Sequence, residues 1–228
     1  MSKSMFLTRH LVRDQDGSVL VETTVLIPIL LVFLLGAVDF SLAFYQWSLS
    51  TKALQIGARI ASVSDPVASG LNSLSSTLIT GTISPGDPMP SFQVTCDGAI
   101  ASCTCTVGTC TGMGTFSWAA MNNIVCGRDN TSSTECNYST QCAPTSNYFR
   151  GMCDIFSRIT AANVKVVYTQ TGLGFAGRIG GPVPTIAVSL QNLPFQFFFL
   201  NGLLGFQPIN ISPATTTTTG EVLSSAAQ

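Results

Sequence analysis

One long apolar run dominates the hydrophobic pattern of this chain. It extends from Val19 to Val38, and its residues are Val, Leu, Ile, Phe or Ala apart from Glu22, Thr23, Thr24, Pro28 and Gly36. At about 1.5 Å per helical residue, a helix of this length crosses the roughly 30 Å hydrocarbon core of a bilayer. Because a helix satisfies its own backbone hydrogen bonds, the run predicts a transmembrane helix, which we assign to residues 18–40.

Glu22 is the exception within this apolar pattern. An ionisable side chain inside a membrane segment is costly, so it usually has a partner or a function. The competing interpretation is a glutamate in the first helical turn, at the lipid boundary, where the helix dipole favours a negative charge. Pro28 has a similar competing interpretation, since membrane helices tolerate proline as a kink.

The helical pattern continues beyond the membrane segment, through residues 41–64. Apolar positions spaced by three and four predict an amphipathic face. These positions are Leu42, Tyr45, Leu49, Ala53, Ile56, Ile60 and Val63. Tyr45 and Trp47 are typical of an interfacial aromatic belt, and Ser64-Asp65-Pro66 predicts the end of the helix. We therefore predict one continuous helix over about 18–64.

The remaining residues, 65–228, predict an external α+β domain built on a small antiparallel sheet. Leu71, Leu74 and Leu78 favour a short helix, and residues 92–96 alternate as a strand does. Residues 163–170 and 184–192 also alternate. A glycine-rich stretch joins these two predicted strands, which we expect to be antiparallel neighbours.

The C-terminal part is apolar, and no charge lies between Arg178 and Glu221. Residues 193–206 contain five phenylalanines but are too short to cross a bilayer. We interpret these side chains as core beneath the sheet; the alternative is an exposed patch for a protein partner or a membrane surface. Residues 208–215 predict a last strand, which leads into a threonine-rich tail.

Eight cysteines lie within a polar insertion over residues 96–153, where we also expect a short helix near 146–159. They are Cys96, Cys103, Cys105, Cys110, Cys126, Cys136, Cys142 and Cys153. An even number in such a segment predicts disulfides in an oxidising compartment. Cys103 and Cys105 would share one strand face, which favours different partners for each; the connectivity stays open. A four-thiolate zinc site is the alternative, although no C-x₂-C pair is present.

Composition narrows the classes of function. The chain of 228 residues has only 9% charged residues and a net charge of -1, so it lacks the dense basic patch of a nucleic-acid-binding protein. The one histidine, His10, precedes the apolar run. If the leader that contains it is removed, the mature chain has no histidine, which excludes Ser–His or Cys–His catalysis and imidazole metal sites. We expect neither enzymatic activity nor a cofactor.

Residues 1–17 form a short head that contains Lys3, Arg9 and Arg13. Basic residues before an apolar run keep a head cytoplasmic and place the C-terminal bulk on the other side. We interpret the head as a leader rather than a domain. An ordinary secretory signal is the alternative: cleavage after the SLA tripeptide at 41–43 would release residues 44–228.

Residues 13–40 resemble the prepilin signature of type IV pilins, and more closely the TadE/TadG-like pseudopilins of tight-adherence (Flp-type) pili. The resemblance is carried by Gly17, by Glu22 and Pro28 at their fixed distances from it, and by Asp39-Phe40. It continues to the Gly-Ala-Arg sequence at 57–59 and extends loosely over 163–221. The cysteine-rich insertion is not part of it.

The resemblance implies cleavage by a prepilin peptidase between Gly17 and Ser18, with Glu22 and Pro28 serving assembly or recognition. The expected partners are that peptidase, other pilins or pseudopilins, the pilus assembly machinery and the lipid bilayer. Glu22 of one subunit can pair with the freed Ser18 amine of a neighbour and set an axial register.

The expected function is that of a minor pilin or pseudopilin in assembly or anchoring of the pilus. The expected location is the bacterial inner membrane, with a single span and a periplasmic C-terminal domain, or the pilus or cell surface. The alternative is a membrane-anchored or secreted adhesin, whose cysteine-rich region binds a partner.

Overall fold

The computed structural model describes residues 15–79, 82–127, 134–138, 142, 150–195, 197–210 and 215–220. The chain forms two compact units. Met1–Tyr45 and Phe195–Ile209 make up the first, which we call the helix unit. Gln46–Pro194 and Asn210–Gln228 make up the second, which we call the sheet unit. The α+β class predicted from the sequence, with a long N-terminal helix before an antiparallel sheet, is confirmed.

Helix α1 covers Gln15–Val63 without a break, although Pro28 lies inside it. It begins three residues before the predicted start and ends within one residue of the predicted end. Pro66 disfavours helical geometry at Asp65, which accounts for the stop. The Ser64 hydroxyl donates to the Ile60 carbonyl at 2.7 Å and so satisfies one carbonyl of the last turn.

The predicted amphipathic face of α1 is confirmed in part. Ala53 and Ile60 are buried, and Leu49 and Ile56 are partly buried against the core, whereas Leu42, Tyr45 and Val63 are exposed. The buried positions also include a stripe of mostly small residues, which consists of Ser50, Ala53, Leu54, Gly57, Ala58 and Ala61. A Cβ at Gly57 would lie 2.5 Å from Met152 Sδ, so the neighbouring chain approaches the helix backbone closely. This close approach favours small residues, which a search for large apolar side chains does not find.

After α1 the chain enters a short 3₁₀ turn, Leu71–Ser73, and helix α2, Leu74–Thr77, which confirms the predicted short helix. Strands β1, Phe92–Asp97, and β2, Ser102–Gly108, form a hairpin. Helix α3, Trp118–Cys126, was not predicted from the sequence. Ser117 caps it by accepting a hydrogen bond from the Ala120 N–H.

The predicted strands at 163–170 and 184–192 are present as β3, Val164–Thr169, and β4, Thr185–Leu190. They are antiparallel neighbours, as predicted, with Val166 opposite Val188. A 3₁₀ turn, Ala161–Asn163, precedes β3. The five-stranded sheet has the order β2-β1-β3-β4-β7, where β7 covers Thr215–Thr219, and one face of β1, β3 and β4 is fully buried. This face shares a single hydrophobic core with the outer half of α1.

The threonine-rich tail is itself a strand, which corrects the sequence interpretation. Strand β7, Thr215–Thr219, pairs antiparallel with β4 and forms one edge of the sheet. Threonine is β-branched and suits a pleated, half-exposed surface. Of the predicted last strand at 208–215, only β6, Ile209–Asn210, and the first residue of β7 are in strands. β6 pairs with β5, Pro194–Phe195, while 211–214 lie outside the described residues.

The predicted helix near 146–159 is present only as α4, Met152–Ile155. Residues 146–149 lie outside the described part of the chain. One further helix, α5, covers Phe199–Leu204 and belongs to the helix unit.

Candidate functional site

The N-terminal half of α1, from Val19 to Phe44, exposes an extended apolar surface. Most large apolar side chains from Val19 to Phe44 are between about two-fifths and four-fifths exposed, with Phe33 at 77%, while Val32 and Leu35 are partly buried. An exposed apolar surface of this extent has no favourable contact with water. Among the described residues, this is the one helix long and apolar enough to cross a membrane. The helix therefore has the properties of a membrane anchor.

Gly17 and Ser18 lie within the first turn of α1, which begins at Gln15. Most of the predicted leader, residues 1–14, lies outside the described residues. The structure is that of the uncut chain, so cleavage between Gly17 and Ser18 stays a prediction.

Glu22 stands on the exposed apolar surface, and its carboxylate has no hydrogen-bond partner among the described residues. The hydroxyls of the two threonines that follow it bond to the backbone of the same helix. The Thr23 hydroxyl donates to the Val19 carbonyl at 2.7 Å, and the Thr24 hydroxyl donates to the Val21 carbonyl at 2.8 Å. From Val19 to Phe44, Glu22 is thus the charged side chain that has no partner within the described part of the chain.

Pro28 is also exposed and lies six residues after Glu22. Proline has no backbone N–H, so the carbonyl one turn earlier loses its intrahelical bond. The helix nevertheless continues through it.

Asp39 was not among the predicted site residues, yet it organises the helix unit. Its carboxylate is completely buried and accepts three backbone hydrogen bonds from the start of α5. Oδ1 accepts from Phe198 N at 3.1 Å, and Oδ2 accepts from Phe199 N at 3.0 Å and Leu200 N at 2.8 Å. Phe198 stands at the N-cap of α5 and has no side-chain acceptor, so Asp39 takes the role that a capping residue would have.

Aromatic packing extends the contact around Asp39. The ring of Phe197 is central: its centroid lies 5.9 Å from that of Phe40, 5.1 Å from Phe195 and 6.0 Å from Phe206, all edge-on. Such pairs contribute beyond their buried area. These phenylalanines pack on α1 and on one another, and they are not part of the core of the sheet unit. The interpretation as core beneath the sheet is therefore wrong for this cluster.

Gly36 provides the remaining contact. A Cβ at this buried position would lie 3.7 Å from Leu200 Cδ2, so Leu200 packs directly on the helix backbone. Gly36 and Asp39 are three residues apart and therefore lie on the same face of α1. The sequence offered one signal for this site, which is an aspartate close to the outer end of an apolar run.

The cysteines form four disulfides in the structure. The pairs are Cys96–Cys103, Cys105–Cys110, Cys126–Cys136 and Cys142–Cys153. Cys103 and Cys105 have different partners, as predicted. The first pair joins β1 to β2 across the hairpin.

The sulfurs of Cys126, Cys142 and Cys153 lie within 4.8 Å of one another, which resembles a thiolate cluster. All three are bonded in disulfides, however, and a metal requires free thiolates. In the disulfide form this cluster is structural.

Tyr138 connects the cysteine-rich insertion to the start of β3. Its hydroxyl donates to Glu135 Oε1 at 2.7 Å and accepts from the Ala161 N–H at 2.6 Å. Burial raises the pKa of Tyr138 well above its usual value. The hydroxyl therefore stays protonated, and this link holds, throughout the neutral range.

The TadE-like protein family model matches residues 17–59. The match begins at Gly17, contains Glu22, Pro28 and Asp39, and ends at Arg59, so the resemblance read from the sequence is confirmed for this segment. TadE-like proteins are structural pilus components, which indicates a pilus-associated function in tight adherence. No curated protein and no solved structure matches the chain.

Proposed function

We propose that this protein is a TadE-like minor pilin or pseudopilin that acts in assembly or anchoring of a tight-adherence pilus. Prepilin peptidase cleaves it between Gly17 and Ser18. The proposal is carried by one observation: a family match that begins at Gly17 coincides with an exposed apolar helix on which Glu22 has no partner among the described residues.

The unpartnered carboxylate supports an assembly role. A glutamate on the lipid-facing side of a membrane helix is costly unless another charge meets it. Cleavage creates a new amine on Ser18 at the same end of the helix. Within one helix, this amine lies about one turn from Glu22. In a stack of helices, the amine of one subunit meets Glu22 of the next and fixes their axial register.

The proposed location is the inner membrane, with residues 65–228 in the periplasm. Lys3, Arg9 and Arg13 precede the span and favour a cytoplasmic N-terminus. The four disulfides support an oxidising compartment for the sheet unit. The proposed partners are prepilin peptidase, other pilins or pseudopilins and the pilus assembly machinery.

The direct test of processing is the N-terminal residue of the protein purified from membranes of its own host. We expect Ser18, identified by mass spectrometry of the N-terminal peptide. A mature chain that starts at Phe44 would show ordinary secretion instead, and an uncut chain would show a simple signal anchor. Either result rejects the processing step.

The test of assembly replaces Glu22 by valine and measures pilus formation by shear release and surface attachment. We expect loss of pili while the protein stays in the membrane, because the variant helix is more apolar. Thr24→Val is the matched control, because its hydroxyl bonds only its own helix backbone; we expect normal pili. Normal pili in Glu22→Val would refute the register role of the carboxylate.

A further inference from the structure

The segment over residues 195–209, which we call the aromatic loop, packs on α1 near Gly36 and Asp39. It also presents apolar side chains away from the helix. Phe198 is 78% exposed, Leu204 55% and Phe206 48%. Phe195, Phe197 and Leu200 of the same loop are buried. The loop therefore has one face on the helix and one apolar face that no described residue covers.

We propose that the aromatic loop is a second membrane-contacting element, which Asp39 holds against the anchor helix so that its outward face enters the outer interface of the bilayer. The proposal rests on the membrane anchoring of α1 under the proposed function. Its partner is a lipid surface.

The position along the helix supports the proposal. Val19 and Asp39 are separated by twenty helical steps, or about 30 Å at 1.5 Å per residue, which equals the thickness of the hydrocarbon core. If the apolar run begins at one boundary of the core, Asp39 lies at the other. The aromatic loop is fixed at that level by three hydrogen bonds.

Backbone satisfaction also supports contact with lipid. Unpaired N–H groups are costly at membrane depth, so irregular chain there must be paired by protein. Asp39 accepts from three N–H groups at the start of α5. At its end, Gly205 N donates to the Asn201 carbonyl and Phe206 N to the Leu200 carbonyl. Backbone N–H groups at both ends of α5 thus have hydrogen-bond partners, which favours its placement in an apolar layer.

Composition selects lipid as the occupant of the outward face. No charged residue occurs between Arg178 and Glu221, so the loop carries no charge of its own to meet a charged protein partner. Phe40, which is 60% exposed on the apolar surface of α1, packs edge-on against Phe197 of the loop. The exposed apolar surface of the anchor therefore reaches the loop, whose exposed polar side chains, Asn201 and Gln207, are uncharged.

The experiment uses the full chain in vesicles of phosphatidylethanolamine and phosphatidylglycerol, with Trp47→Phe and Trp118→Phe removing the native tryptophans. Single tryptophans are then placed at exposed positions. Phe198→Trp reports the aromatic loop, Phe33→Trp reports the span, and Ile179→Trp reports an exposed apolar position of the sheet unit. Emission is quenched with lipids brominated at shallow or deep acyl positions and with aqueous iodide.

We expect Phe198→Trp to lose emission with shallow-brominated lipid, and to be protected from iodide relative to Ile179→Trp. Phe33→Trp should be quenched most by deep-brominated lipid. Quenching of Phe198→Trp by iodide, with Phe33→Trp still quenched by lipid, would overturn the proposal and leave the anchor intact. Quenching by neither reagent would also overturn it, in favour of a second copy or another protein on the loop. Failure of Phe33→Trp to be quenched by lipid would instead contradict the membrane anchoring of α1, on which the proposal rests.

Asp39 is a positioning residue in this proposal, and its variants test that role separately. Asp39→Leu removes both acceptor oxygens, and with them all three hydrogen bonds, while making the helix more apolar, so Phe33→Trp should stay quenched by lipid. Phe198→Trp in that background should lose its lipid quenching. Asp39→Asn keeps one carbonyl acceptor. Lipid quenching of Phe198→Trp in that background should be intermediate between its values with Asp39 and with Asp39→Leu. Unchanged quenching of Phe198→Trp in Asp39→Leu would show that the aspartate does not hold the loop.

Discussion

Removal of one buried hydroxyl, by Tyr168→Phe, should measurably weaken the sheet unit. Tyr168 lies in the central strand β3 and is completely buried. Its hydroxyl accepts a hydrogen bond from the backbone N–H of Val67 at 3.0 Å, and Val67 is also completely buried. This bond attaches the chain that leaves α1 to the middle of the sheet.

The magnitude follows from what the variant leaves behind. Phenylalanine keeps the ring and its packing but orphans the Val67 N–H. A buried donor without a partner costs about 1–3 kcal/mol. Phenylalanine has no hydroxyl to remove from water on folding, which offsets part of this cost. We therefore expect the free energy of unfolding to fall by about 1–2 kcal/mol. For a unit of this size each kcal/mol lowers the melting temperature by about 2–4 °C.

The assay is urea and thermal unfolding of the full chain in detergent micelles, with the disulfides intact, followed by near-ultraviolet circular dichroism. The midpoint should fall while the urea dependence of the free energy stays unchanged, since the exposed surface on unfolding is the same. Tyr45→Phe is the matched control: its hydroxyl is exposed and should change stability by less than about 0.5 kcal/mol. A change as small for Tyr168→Phe would refute the reasoning.

The same residue gives an alkaline signature. Burial raises the pKa of Tyr168 far above its usual value. A folded pKa above the unfolded one contributes stability below the unfolded pKa, about 10, which is lost as the pH rises above it. The stability difference between wild type and Tyr168→Phe should therefore shrink above about pH 10.

Three further predictions concern the sheet unit. Peptide mapping without reductant should recover the four disulfides, and the double variant Cys96→Ser, Cys103→Ser should lose about 2–3 kcal/mol in the same unfolding assay; any other pairing contradicts the assignment. Burial raises the pKa of the Asp154 carboxyl, so its contribution to stability is present below its usual pKa and lost as the pH rises through the raised value. Asp154→Asn should therefore gain stability relative to wild type as the pH rises from acid toward neutral, and a constant difference contradicts this. Gly57→Leu should cost about 1–3 kcal/mol, because the new side chain meets buried Met152, whereas exposed Gln55→Leu should be nearly neutral; equal effects would refute the close approach.

Local patterns were sufficient to predict the elements whose stability is encoded locally. The apolar run and Pro66 predicted the extent of α1, and alternation predicted β3 and β4 as neighbours. The candidate site residues within α1 were assigned from the family resemblance and their spacing relative to Gly17, and their roles stay predictions.

Elements fixed by distant contacts were not predicted. Asp39 finds its partners 159 or more residues away in sequence, and no local pattern specifies them. The threonines of β7 lack the apolar alternation that marks a half-buried strand, and their pairing depends on β4. The pairing of the cysteines likewise follows from the hairpin and helices that bring them together. In each case tertiary structure supplied information absent from a local window.

The place of β7 in chain order has a consequence for how the protein is made. Every other strand of the five-stranded sheet precedes it, so β7, the second neighbour of β4, is the last of these strands to be synthesised. Until residues 215–219 emerge, β4 presents a row of unpaired backbone donors and acceptors, and such an open edge invites pairing with other chains. The nascent protein therefore passes through a period of vulnerability to aggregation, which ends only when its final strand is added.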